Sequence, residues 1–156
     1  MHAHSRVIRA VGIVAAMLTA TGGSLIATAT VSGASEQGGF NNPGNVLIAD
    51  QFNNRVVEVN RDHHVVWHFG NGSSVAGPNS IVGTNDAERV GDLTLIAGTG
   101  TPAGADPSCA DPNGCADNRV ILVNQGGHIV WQYGTAGVTG AGFNELNTPV
   151  QATALP

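Results

Sequence analysis

Two stretches of this chain are copies of one another. Residues 54–70 read NRVVEVNRDHHVVWHFG, and residues 118–134, 64 positions later, read NRVILVNQGGHIVWQYG. Nine of the 17 aligned positions are identical: Asn54, Arg55, Val56, Val59, Asn60, His64, Val66, Trp67 and Gly70 match their partners. Val57, Val65 and Phe69 are replaced like for like by Ile121, Ile129 and Tyr133. A β-type unit recurring at a fixed period cannot bury its own faces. It must stack on copies of itself.

The repeat extends upstream, because Leu47-Ile48-Ala49 precedes the first copy and Leu95-Ile96-Ala97 the second. The second spacing is longer, which places an insertion at residues 98–115. Each unit then reads as strands at 46–50, 55–60 and 63–69, and at 93–97, 119–124 and 128–133. Asn60-Arg61-Asp62 and Asn124-Gln125-Gly126-Gly127 supply the hairpin turns between the last two. A short first strand is visible at 87–90 and again at 151–155, whereas the first unit has no room for one. The segment Gly142-Phe143-Asn144-Glu145-Leu146-Asn147-Thr148-Pro149 leads into what reads as the start of a third unit. Both faces of the last strand are fairly apolar, which suits a sheet covered on two sides.

Composition agrees. The 156 residues include 22 Gly and no Lys, with only 11% charged residues, as expected for an all-β chain with many turns. Residues 1–34 differ: Arg6 and Arg9 precede an apolar run at 10–20, then small residues up to Ser32-Gly33-Ala34. That order matches a cleaved signal peptide, with an N-terminal membrane anchor as the competing reading. Either one puts residues 35–156 outside the cytoplasm, secreted, periplasmic or at the cell surface. Without residues 1–34, four Arg face eleven Asp and Glu, a formal charge of −7. Four scattered Arg cannot displace counterions along a phosphate backbone, so nucleic acid is excluded as a partner class, as is an anionic membrane surface.

Cys109 and Cys115 lie in a Pro/Gly/Asp-rich loop, where two nearby Cys of an exported chain are expected to form a disulfide. Asp106, Asp111, Asn113 and Asp117 surround them. These oxygen ligands are the candidate set for Ca²⁺, although no bidentate Glu follows at the required spacing and a solvated turn competes with that reading. No other cofactor is indicated. His64 and His128 recur at equivalent positions, which suits a packing residue better than a catalytic one. His64 and His68 share a strand face at about 13 Å separation, too far for one ion. No Ser elbow, phosphate loop or dinucleotide fingerprint is present. Trp67, Trp131, Phe69 and Tyr133 read as packing core.

The stretch Ile48-Ala49-Asp50-Gln51-Phe52-Asn53-Asn54-Arg55-Val56, with its shorter echo Ala116-Asp117-Asn118-Arg119-Val120, resembles the NHL-repeat type of β-propeller. The ending at residues 127–134 is also similar to blades of exported bacterial arylsulfotransferase-like and quinoprotein-like propellers. The resemblance spans residues 38–156 and implies an incomplete β-propeller of about two four-stranded antiparallel blades plus the start of a third. Blade 1 would cover about 38–72, blade 2 about 84–137 and the start of blade 3 about 143–156. It implies that Asp50 and Asp117 hydrogen-bond backbone at the turn after the second strand, and that Arg55 and Arg119 pair with acidic groups between blades. It makes Asp50, Asn54, Arg55, Trp67, Asp117, Asn118, Arg119 and Trp131 structural repeat residues. The function it implies is a non-catalytic module that binds or scaffolds a protein or small ligand. The alternative is part of an exported propeller enzyme whose catalytic residues lie outside this chain. Self-association that completes a propeller is a third reading.

Overall fold

Alternation of apolar residues with Asn- and Gly-rich turns yields antiparallel strands throughout the computed structural model, which describes residues 39–156. The proposed leader or anchor lies outside the described residues. Strands β1 (Val46–Asp50), β2 (Arg55–Val59) and β3 (Val65–Phe69) form one sheet in that order. Strands β4 (Thr84–Val90), β5 (Leu93–Gly98), β8 (Arg119–Asn124) and β9 (Ile129–Tyr133) form a second, ordered β4-β5-β8-β9. The insertion builds a two-residue ribbon from β6 (Thr101–Pro102) and β7 (Gly114–Cys115). The protein is all-β. Among the described residues no helix is long and apolar enough to cross a membrane.

The two units repeat in geometry as well as in sequence. The turn of each last hairpin is closed by an Asn side chain: Asn60 Oδ1 accepts the His64 amide at 2.8 Å, and Asn124 Oδ1 accepts the His128 amide at 3.0 Å. His63 (φ 64°) and Gly127 (φ 77°) take the left-handed position that such a turn needs. A register shift falls at the same place in each, between Glu58 and Val59 and between Leu122 and Val123.

Side-chain alternation gives each sheet two faces. The inner face of the first sheet carries Leu47, Val56, Trp67 and Phe69. It packs on the face of the second sheet that carries Ala87, Ile96, Ile121 and Val123, with Ile81 from the linker completing the core. Burying this cluster stabilises the fold at about 25 cal/mol per Å² of apolar surface removed from water.

The first sheet has three strands, as expected of a unit with no room for a first strand, and the second has four. Two expectations from the sequence need correction. Residues 151–155 form no strand. Trp131 and Tyr133, expected in the core, are 48% and 38% exposed, while their counterparts Trp67 and Phe69 are 7% and 3% exposed. The difference is one of cover: the first sheet's inner face meets a second sheet, whereas the equivalent face of the second meets, among the described residues, Leu146 and residues 152–154.

Candidate functional site

Asn54 and Asn118 immediately precede β2 and β8, each with left-handed backbone (φ 52° and 58°), a conformation that Asn tolerates through its short polar side chain. Each amide clasps the segment entering the next unit. Asn54 Oδ1 accepts the Gly83 amide at 2.9 Å, and Asn118 Oδ1 accepts the Thr148 amide at 2.8 Å. Gly83 (φ 59°) and Thr148 (φ 50°) occupy corresponding left-handed positions. On the donor side, Asn54 Nδ2 reaches Asp106 Oδ2 at 2.8 Å and Asn118 Nδ2 reaches Thr139 Oγ1 at 2.7 Å. The insertion thus folds back on the first unit through Asp106.

Asp117 and Arg119 form a buried pair. Arg119 Nε donates to Asp117 Oδ1 at 2.7 Å, and its terminal nitrogens donate to the carbonyls of Gly77 and Ser80 in the linker at 3.0 and 2.8 Å. Asp117 Oδ2 accepts the Val82 amide at 2.6 Å. Burial pushes the Asp117 carboxyl up, against the downward pull of Arg119 and of the Val82 amide. The Asp50–Arg55 pair of the first unit, at 2.8 Å, is more exposed and, among the described residues, joins nothing between sheets. Asp50 there bonds the side chains of Arg55 and Asn53, not backbone. Arg55 and Arg119 each pair with an acid of their own unit. The expectation of acidic partners across blades is therefore corrected: Arg119 bridges to the linker through carbonyls.

The resemblance gave no hint of a second buried charge pair. Glu58, 2% exposed, meets Arg89 of β4 across the sheet-to-sheet contact and also accepts from the Asn41 amide and Asn45 Nδ2, both at 2.6 Å. The Arg89 guanidinium lies 3.9 Å from the Phe40 ring centre and 4.5 Å from that of Trp67. Trp67 Nε1 donates to the Gln125 carbonyl at 3.0 Å. Glu58 within the run Val56–Val59, where the second copy has Leu122, was the available signal for the charge but not for its partner.

The insertion does not gather the calcium candidates around one point. Asp106 is held by the amide and hydroxyl of Ser108 and by Asn54, hydrogen bonds that keep its carboxyl below the ordinary range. Asp111 caps its own turn through Asn113, and Asp117 faces Arg119. Among the described residues, no three His, Cys, Asp or Glu side chains group as ligands of one ion. Cys109 and Cys115 are bridged, with Cα atoms 5.8 Å apart.

The feature with the character of a binding site is the uncovered face of the second sheet. Leu95, Leu122, Val130, Trp131, Tyr133 and Leu146 line an open apolar groove of about 610 Å³. Its chemistry suits an apolar protein surface. It offers no converging nucleophile and base. No protein-family model, curated protein or solved structure matches this chain.

Proposed function

We propose that this chain is an exported, non-catalytic binding and scaffolding module built from NHL-like β-propeller blades, which receives a protein surface on the open face of its second sheet. The observation that carries this reading is the pair Trp131 and Tyr133: large aromatic side chains, half exposed and side by side on an apolar groove, at positions buried in the other unit. Exposed apolar patches of this kind mark interaction sites. The buried charges support the same reading, since each is engaged structurally: Glu58 and Arg89 join the two sheets, and Asp117 and Arg119 hold the linker. The bridged Cys109–Cys115 loop fits an oxidising compartment.

The test compares the chain with Trp131→Glu in titrations with an apolar fluorescent dye, alongside sulfotransfer and quinone-dependent oxidation assays. Dye binding that the substitution abolishes, without turnover, is the expected result. Turnover that co-purifies with the chain and is lost on substitution of one of its own histidines would overturn the proposal.

A further inference from the structure

The repeat itself indicates what fits the open face. Val56, Trp67 and Phe69 of the covered face correspond to Val120, Trp131 and Tyr133 of the open one. The surface that covers the first set belongs to β4, β5 and β8, and contains Ile96, Ile121 and Val123. Their counterparts in the first unit are Ile48, Val57 and Val59, on the outer face of the first sheet, where Val46 and Ile48 are 58% and 41% exposed. Val57, 6% exposed, lies packed among them, so the chain displays both halves of its internal contact a second time, the second half chiefly through Val46 and Ile48.

Residues 149–155 extend the correspondence. They follow Thr148 as β4 follows Gly83, so Ala152 stands for Ala87 and Ala154 for Arg89. Ala154 and Leu122 replace Arg89 and Glu58 together, so a buried charge pair in one contact becomes an apolar pair in the next. The amides of Ala152 and Ala154 donate to the carboxylates of Asp86 and Glu88 at 3.2 and 2.9 Å. Donors two apart meeting acceptors two apart mean an extended segment running parallel to β4. The intervening amides of Gln151, Thr153 and Leu155 then point to the opposite edge, where no strand pairs with them among the described residues. β4 shows the same alternation: its two-residue turn makes Val90 and Leu93 a hydrogen-bonded pair, so the Glu88 amide faces β5 and the amides of Ala87 and Arg89 face away. In the first unit β1 is an edge strand, with β2 its one strand neighbour among the described residues.

We propose that copies of this chain associate head to tail, residues 149–155 of one pairing with β1 of the next. The three-stranded sheet of the second copy would then gain a first strand that its described residues do not supply, while its outer face closes the Trp131 groove. Carrying over the register of β4 on β5 sets Ala152 opposite Ile48 and Ala154 opposite Val46. Such a contact is heterologous, so it closes into a ring or propagates. The inference rests on the proposed role of the open face and names its partner.

The experiment is light scattering on the chain across a wide concentration range, with two double-cysteine variants oxidised and run on non-reducing gels. The expected result is mass rising in whole multiples of the chain. Ala154→Cys with Val46→Cys should give intermolecular bridges, and Thr153→Cys with Val46→Cys far fewer. Thr153→Pro removes an amide aimed at the partner strand and leaves those of Ala152 and Ala154. It should abolish association with the circular-dichroism spectrum unchanged. A wild-type chain that stays monomeric, or cross-links that form equally in both pairs, overturns the proposal. A monomer that still binds the apolar dye at Trp131 refutes only the choice of partner. A dye-silent monomer refutes the open-face reading as well.

Discussion

Trp67 and Trp131 hold the same place in their two units, so truncating each to alanine is a matched test of sheet stacking. Trp67 is 7% exposed, stacks edge-on against Phe40 at 5.7 Å, lies under Arg89 and donates its indole N–H to Gln125. A buried tryptophan removes roughly 200 Å² from water, about 5 kcal/mol at ~25 cal/mol per Å². Large-to-small changes of this type in cores cost about 3–5 kcal/mol. Trp131 is 48% exposed. About half of the area is then at stake, so Trp131→Ala should cost about 2.5 kcal/mol or less. Urea unfolding followed by far-ultraviolet circular dichroism avoids relying on the fluorophore being removed. Dilute samples keep self-association out of the comparison. The midpoint for Trp67→Ala should fall clearly below that for Trp131→Ala, with slopes unchanged. Equal losses, or a larger loss for Trp131→Ala, would refute the claim that one unit's inner face is covered and the other's is open.

Removing Arg89 alone by Arg89→Ala strands the buried Glu58 carboxylate and should cost about 3–5 kcal/mol, whereas Glu58→Leu with Arg89→Ala recreates the Leu122–Ala154 pairing and should recover most of it in a double-mutant cycle. Asn54→Gly and Asn54→Ala both lose the bonds to Gly83 and Asp106, but alanine must also hold φ near 52°, so thermal melts should place it about 1 kcal/mol below glycine. Asp106 titrates below its ordinary value of 3.8 because Ser108 and Asn54 donate to it. Its stabilising share is complete above that value and is lost as pH falls through the lower folded-state pKa, so Asp106→Asn should flatten the acid limb of the stability curve below about pH 4.

Strand positions were legible in the sequence because the two copies check one another: Arg119–Asn124 was read to the residue, and β2 and β3 within two residues of their ends. Repetition also carried the hairpin chemistry of Asn60 and Asn124, which depends on a local side-chain bond. What periodicity cannot supply is the identity of the covering surface. It marked Trp131 and Tyr133 as inward-facing, which is true of their face of the sheet, but burial needs a second sheet above that face. The Glu58–Arg89 pair was illegible for a related reason. Its members lie in different units, and the second unit replaces both with apolar residues. Asp106 was read as a possible ion ligand, since sequence places it near Asp111 and Asp117. Folding turns it instead toward Asn54, a neighbour 52 residues away.

The central claim, two like sheets stacked with one covered and one open aromatic face, can be tested through two protons. The chain has two tryptophans, hence two indole N–H resonances in a ¹⁵N-labelled sample. Solvent exchange of both should be measured on dilution. The account predicts a Trp67 proton protected at every concentration by its bond to Gln125, and a Trp131 proton that exchanges freely once the sample is dilute. A Trp67 proton exchanging as fast as that of Trp131 would mean that the sheets do not stack, and would contradict the account.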